Sequence, residues 1–428
     1  MRKKTKKRKI FLSCGMLTFL MIVGIVSYGT YYFLTNKKVD SETKNNISYV
    51  RSPFGASFKI KDSNNLSFIS SFSHFDAPGV KEGLNNLNKQ EKESEIKNQG
   101  TQEIEEANNI TLALDYFKTY FSSKNIFFMA DTNIKLGNQS KVFHLGQDYS
   151  MLFKDNEKYS TTLSNQVNKF SNPYDKIIYS FDNDLSISNT NYSDIKSVIK
   201  DDYDSKTGFA INTYKTLPNS IYQNGQSWID YSSKYYSNKE NNNENIHSYV
   251  KELVSDHLPV GTDLTYLNSS NIESTIRVGG WNIENFSMPS HDLKKVNVSE
   301  GNASHVDVHA INVAKIISNA KYDLIGLLEI NKNTSTNDLN NFLDYLNYLN
   351  VDDNGIKKKT YKAVLSDNTP SLSKNSAMIE QVLILYNSNV LELNNEKPTF
   401  FYNNNLTNDN AFIFTKQLRL NFFSKIYD

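Results

Sequence analysis

The chain of 428 residues contains a single cysteine, Cys14. A disulfide within the chain is therefore impossible, and a tetrahedral cysteine cage for zinc is excluded. Charge of one sign is lacking too: 47 Lys and Arg oppose 46 Asp and Glu, a formal net charge of +1. Bulk electrostatics thus does not recruit a polyanion, and a basic groove would have to be local. Apolar residues make up only 38% of the chain and the mean hydropathy is −0.54, which suits a soluble body rich in Asn, Lys, Ser and Tyr. The long polar stretches are a compositional bias and carry no functional weight. There is no internal repeat.

One long apolar run stands apart. Seven Lys and Arg lie between Arg2 and Lys9, and the 25 uncharged residues Ile10–Leu34 follow. At about 1.5 Å per residue this run spans a hydrocarbon core of about 30 Å with some tilt. The spacing predicts a transmembrane signal-anchor over 10–34, a basic cytoplasmic flank over 1–9 and everything beyond on the outer face of a cell membrane. The alternative is secretion after signal cleavage, because Ser27-Tyr28-Gly29 offers small residues at suitable spacing. Leu12-Ser13-Cys14 has the form of a lipoprotein cleavage box, but it stands before most of the apolar run. Residues 35–50 read as a polar linker.

The remainder divides near residues 261–275. In the first part, Ser67–His74, Asn125–Ala130 and Lys176–Tyr179 have strand character. Gln102–Phe121 reads as one helix with Leu112, Tyr116 and Tyr120 on a stripe. Segment 155–172 and the Asn-rich run near 240–245 read as loops. In the second part, Ile276–Trp281, Leu324–Leu328 and Gln381–Tyr386 are strands. His305–Ala320 is an amphipathic helix with Ala310, Val313, Ala314 and Ile317 on one face. Thr336–Leu349 is another, capped by Thr336, with Leu339, Phe342, Leu343 and Leu346 facing inward. Strands alternating with helices in both parts predict an α/β or α+β layered domain.

Polar residues gather at the ends of these strands. Asn282 and Glu284 follow Trp281, Glu329 ends the strand at Leu328, and His74 and Asp76 close the strand before Ala77-Pro78-Gly79. Asp131 and Asn133 end another, Asp175 precedes Lys176–Tyr179, and Ser255-Asp256-His257 precedes Leu258-Pro259-Val260. Side chains so placed line a cleft at a sheet edge. Their oxygens are what a hard cation accepts, and two histidines with carboxylates are what proton transfer at phosphorus needs. Taken singly, each is more often a turn former or an incidental surface residue; the set together points to chemistry.

Arg277-Val278-Gly279-Gly280-Trp281-Asn282-Ile283-Glu284-Asn285-Phe286 resembles the opening strand of the endonuclease/exonuclease/phosphatase superfamily, the deoxyribonuclease-like fold. Tyr322-Asp323-Leu324-Ile325-Gly326-Leu327-Leu328-Glu329 resembles its metal-binding strand, with Leu328 where the family usually has Gln. Glu380-Gln381-Val382-Leu383-Ile384-Leu385-Tyr386 resembles the strand whose Glu orients a catalytic His, and Ser73-His74-Phe75-Asp76-Ala77-Pro78-Gly79 the strand carrying that His. Met129-Ala130-Asp131-Thr132-Asn133 resembles the Asp-x-Asn element, with Ala130 where Gly is usual. Tyr174-Asp175-Lys176-Ile177 and Ser255-Asp256-His257-Leu258-Pro259-Val260 resemble the last two catalytic elements. The resemblance covers nearly all of 51–414 and is nearest to the membrane nucleases of wall-less bacteria.

The order of these elements differs from the family's. Residues 51–268 resemble the C-terminal part of the domain, 276–414 the N-terminal part, 269–275 a joining link, and 415–428 match nothing. Each element occurs once, which argues against two complete tandem domains. Two readings follow: a circularly permuted chain that folds as one domain, or halves of a rearranged gene that do not close. For the first, the resemblance implies a four-layer sandwich of two packed mixed β-sheets flanked by helices.

It further implies metal-dependent in-line hydrolysis of phosphodiesters in DNA or RNA, serving nucleotide salvage. Glu329, with Asn282 and Asp256, would hold Mg²⁺, Mn²⁺ or Ca²⁺. Asp131 and the Asp175–His257 pair would activate water and contact phosphate, Asn133 would position the nucleophile or phosphate, and Glu380 would orient His74 for the leaving oxygen. Nothing resembles a covalent nucleophile. The alternatives are a phospholipid or inositol-phosphate phosphodiesterase of the same superfamily and an inactive surface protein left by rearrangement.

Overall fold

The computed structural model describes residues 49–80, 93–182, 184–188, 192–201, 208–216, 242–296, 298, 303–351, 356, 358–369 and 379–401. They belong to one unit, Ile47–Asn403. The run 10–34, residues 402–414 and the tail 415–428 lie outside the described residues. Among the described residues no helix is long and apolar enough to cross a membrane.

Short segments with period-two alternation build two sheets. The first is ordered β13-β1-β2-β3-β5-β4, with β14 also paired to β1. Its strands are β1 (Phe54–Ile60), β2 (Ser67–His74), β3 (Ile126–Asp131), β4 (Ser150–Leu152), β5 (Asp175–Ser180), β13 (Leu391–Leu393) and β14 (Thr399–Phe400). The second is ordered β11-β12-β10-β9-β8-β6, with β7 also on β8. It comprises β6 (Leu185–Ile187), β7 (Phe209–Ala210), β8 (Val260–Leu267), β9 (Glu273–Phe286), β10 (Leu324–Asn331), β11 (Tyr361–Leu365) and β12 (Glu380–Asn387). Both sheets are mixed: β2–β3 and β9–β10 are parallel, whereas the neighbouring pairs are antiparallel.

Alternation decides which side chains meet between the sheets. Phe127 and Met129 of β3 join the inter-sheet core with Phe68 and Phe72 of β2. Ile126, Phe128 and Ala130, one residue out of phase, face a second core under α1 (Thr101–Asn108) and α2 (Ile110–Tyr120). The far side of the second sheet is covered by α3 (Asn242–Leu253), α4 (His305–Ala320) and α5 (Thr336–Leu349), whose Leu253, Val313, Ile317, Phe342 and Leu346 continue the main core. The result is an α+β fold layered helix, sheet, sheet, helix. Residues 268–272 turn β8 into β9 as an antiparallel hairpin, with Leu267 opposite Glu273. Tyr49 and Val50, at the end of the stretch read as linker, are buried.

Several local expectations need correction. The helix expected over Gln102–Phe121 is two, broken at Asn109 (φ −107°, ψ 11°). Its core stripe is Ile110, Ala113, Leu114 and Phe117, while Leu112 and Tyr120 are exposed. Both stripes recur at helical spacing, and the inward one is the set with the fuller i, i+3, i+4, i+7 pattern. The Asn-rich run near 240–245 leads into α3, which begins at Asn242. The cap of α5 is Ser335, whose hydroxyl accepts from the Asp338 amide, rather than Thr336. Strand β9 extends well beyond Ile276–Trp281 on both sides.

The two sheets approach closely because two glycines of the second face large side chains of the first. A Cβ on Gly326 would lie 2.2 Å from the Phe72 ring, and one on Gly280 would lie 2.5 Å from Met129 Sδ. No real contact is that short, so something must shift: the flexible Met129 side chain can turn aside, whereas the Phe72 ring, buried on all sides, yields less easily. Gly326→Ala should destabilise the fold by about 1–3 kcal/mol, the usual cost of overpacking a dense core. Phe72→Leu in the same chain should recover part of that loss; urea unfolding of the two variants checks both expectations.

Candidate active site

Cross-strand register places three polar side chains in one row of the first sheet. His74 is paired with Asp131 across β2 and β3, and Asp131 with Asp175 across β3 and β5. Asp131 has the phase of Met129 and Phe127, so the row points toward the second sheet. Opposite it, Asn282 of β9, Glu329 of β10 and Glu380 of β12 lie at the corresponding end of the second sheet, with Asp256 and His257 just before β8.

Distances show how tightly these groups converge. His257 Nδ1 is 2.8 Å from Asp175 Oδ2, and its Nε2 is 3.4 Å from Asp131 Oδ2. His74 Nε2 lies 3.5 Å from the same Asp131 oxygen, while its Nδ1 is 3.3 Å from Glu380 Oε2 and 3.6 Å from Glu329 Oε1. The Asn282 amide donates to both Asp131 (3.0 Å) and Glu329 (2.9 Å). Asn133 donates its side-chain amide to the Phe75 carbonyl, and its backbone N–H to Asp131 Oδ1. Asp256 stands at the rim, with Oδ1 3.9 Å from His257 Nε2 and its side chain 41% exposed.

Left-handed backbone occurs here at four of the thirteen described non-glycine positions that adopt it. Asn133 (φ 54°), Glu284 (φ 49°), Asn285 (φ 49°) and Glu329 (φ 62°) all occupy the left-handed region without being glycine. At the two glutamates such a conformation costs about 1–2 kcal/mol, whereas asparagine adopts it more readily. At Glu329 the pairing of β10 with both β9 and β12 slips by a bulge, which re-aims the side chain out of the strand's alternation. Leu328, the departure from the family pattern, is fully buried in the core. Glu329 is braced instead by the Asn282 amide and, at 3.0 Å, by the Asn285 N–H.

The electrostatics follow from burial and neighbours. Burial alone would raise Asp131, but His257, His74 and the Asn282 hydrogen bond hold its carboxyl below the usual range. Burial would lower His257, and Asp175, Asp131 and Asp256 reverse this, lifting it well above an ordinary histidine. For His74, burial and Arg51 oppose protonation, yet Glu380 and Asp131 leave it raised. Glu380 is lowered despite burial by Arg51 and then His74.

Four participants were given no role in the site from the sequence. Arg51 is buried with Nε 3.1 Å from Glu380 Oε2 and Nη2 3.4 Å from His74 Nε2; a lone arginine before a strand gives no local signal. Glu284 was visible only as a strand-end carboxylate. Burial, Asp256 and Glu329 push it up to about 7. Ser255 donates to the Asn282 carbonyl and accepts from the His257 N–H, and Trp281 Nε1 donates to the His257 carbonyl. Together they clasp the Ser255–His257 turn to β9. Asp131, Asp175 and His257 are a buried group whose ligand atoms lie within 4.8 Å of one another and could hold a metal ion.

No family model matches the chain. Over 225 residues it is 30% identical to an uncharacterized protein of Mycoplasma pneumoniae, a match that covers 50% of this chain and 37% of that protein.

The Asp175–His257 pair sets a measurable titration. Because the folded pKa of His257 lies above its unfolded value, its contribution to stability is full below roughly pH 6.5 and is lost as pH rises through the folded pKa. Asp175→Asn should lower the His257 pKa and flatten that pH dependence. NMR titration of the His257 ring with urea unfolding across pH reads both; an unchanged His257 pKa would contradict the pairing.

Proposed function

We propose that the protein is a metal-dependent phosphodiesterase of the endonuclease/exonuclease/phosphatase type, in permuted order, that cleaves DNA or RNA. The observation that carries this reading is the facing of the His74–Asp131–Asp175 row by Asn282, Glu329 and His257 across the two sheets. That arrangement offers a shielded carboxylate, two imidazoles with separate carboxylate partners and a guanidinium within one cleft. The membrane anchor over 10–34 and an extracellular cleft remain part of the proposal, on the strength of the basic flank and apolar run.

We place a divalent cation on the acidic side of the cleft rather than on the compact Asp131–Asp175–His257 group, because Asp175 and Asp131 favour the protonated form of His257, which cannot ligate a metal. Glu284 Oε2 is buried without a hydrogen-bond partner, in a carboxylate crowded by Asp256 and Glu329. An all-oxygen set of this kind suits Mg²⁺ or Mn²⁺. Glu329, Glu284 and Asp256 would hold it; Asn282 would brace them, since its side-chain oxygen already accepts from the Glu284 N–H. When bound, the ion would neutralise phosphoryl oxygens and stabilise the leaving oxygen.

The remaining work falls to side chains. Arg51 and the cationic His257 would grip non-bridging oxygens and hold the phosphorus for in-line attack. Asp131, kept ionised between two imidazoles, would take the proton of the attacking water. His74, held through Nδ1 by Glu380, would deliver a proton to the departing oxygen. Binding through phosphates alone would leave the enzyme indifferent to base sequence.

Purified protein should cut plasmid DNA with Mg²⁺ and stop when the ion is chelated. His257→Ala and Glu329→Ala should each lose about 100-fold or more in rate, the scale of an acid–base group or metal ligand. Absence of cleavage above the His257→Ala background on DNA and RNA would remove the nuclease reading. Headgroup release from phospholipid vesicles without nucleic-acid cleavage would move the substrate class.

A further inference from the structure

Two glutamates in the first turns of α1 are fully buried, although an acidic helix start ordinarily faces solvent. Both are occupied by groups from the loops that bear the site. Glu106 Oε1 accepts from the Val50 N–H at 2.6 Å, and Oε2 accepts from the Asp76 N–H at 2.7 Å. Val50 precedes Arg51, and Asp76 follows His74 by two residues. The same helix holds the Asp76 loop a second time and reaches a third loop through Gln99: Glu103 Oε1 accepts from the Gly79 N–H at 2.7 Å and from Gln99 Nε2 at 2.9 Å. Gln99 in turn donates to the Asn133 carbonyl and accepts from the Lys135 N–H.

We propose that Glu106 is a positioning residue whose two carboxylate oxygens set the spacing between Arg51 and His74, with Glu103 and Gln99 extending the same clamp to Asn133. The assignment of a catalytic consequence rests on the phosphodiesterase reading above; the positioning itself does not. Burial and the nearby Asp76 push the Glu106 carboxyl up to about 8. The two backbone N–H groups nevertheless reach separate oxygens, and Gln102 Nε2 adds a third donor at 3.0 Å. The groups that face it are thus donors, and the ionised form satisfies them all. An amide side chain presents one acceptor and one donor, so one of the two N–H groups would face a second N–H. Loss of either anchor frees the backbone one or two positions from a residue whose side chain meets Glu380: Arg51 through Nε, or His74 through Nδ1.

The test is Glu106→Gln in the full chain, read in two ways. With ¹⁵N-arginine labelling, the Arg51 Nε–H resonance, identified by its loss in Arg51→Lys, reports the bond to Glu380 without reference to activity. In Glu106→Gln it should shift or broaden, and kcat on DNA should fall by about 10- to 100-fold, the effect of a sub-ångström to 1 Å misplacement, with KM little changed. Tyr49→Phe is the control: it removes a bond to the Glu106 backbone carbonyl at a cost in stability but leaves the carboxylate clamp, so it should leave both readouts as in the parent. Where Glu106→Gln does not unfold cooperatively, Glu106→Asp keeps both acceptors one methylene back and should give an intermediate loss. An unchanged Arg51 resonance, or a changed one with unchanged kcat in an active parent, overturns the proposal. A parent that cuts nothing while the resonance still responds removes the phosphodiesterase reading and leaves the positioning role in place.

Discussion

The carboxylate of Asp131 is where the two sheets are tied together by polar contacts rather than by packing alone. It belongs to the first sheet, yet it accepts from Asn282 of the second and lies between His257 and His74. A buried charge in such a place is tolerable only when its lone pairs are occupied and opposite charge is near. Those conditions fix the register of β3 against β9, and with it the distance across which the other site groups face one another. The glycines at 280 and 326 serve the same end from the apolar side, since a Cβ at Gly326 would meet the Phe72 ring and one at Gly280 the Met129 side chain.

Strain is the counterpart of this compactness. Four non-glycine residues in the left-handed region and a bulge at Glu329 sit beside the cleft. Their conformations persist because hydrogen bonds to Asn282, Asn285 and Phe75 over-determine them. The site is therefore held by its own polar network and by the helix α1 behind it, not by loops free to choose their geometry.

Chain order matters less to such a site than strand neighbourhood. Strands β8 and β9 are adjacent and antiparallel, so a five-residue turn suffices between them. At the other end, β14 pairs with the start of β1, and the Phe401 N–H donates to the Pro53 carbonyl. Contacts that run on along a sheet do not require the chain to run on with them. This is the physical basis on which a permuted arrangement is proposed.

Sequence by itself determined six of the fourteen described strands, those with polar ends at the site, because local apolar runs and turn chemistry act over a few residues. It also marked His74, Asp131, Asn133, Asp175, Asp256, His257, Asn282 and Glu329 as strand-end groups, with Glu380 added by the resemblance, although their meeting depends on pairings up to hundreds of positions apart. It could not reveal Arg51 as their partner, since Glu380 lies 329 positions away, nor Glu103 and Glu106 as buried anchors, since glutamates on a helix usually face water. The inward stripe of α2 and the break at Asn109 were likewise settled by packing against the first sheet, where two apolar faces competed for one core. Local pattern specifies elements; only the approach of the two sheets, set by small residues and one shared carboxylate, decided which polar ends became a site.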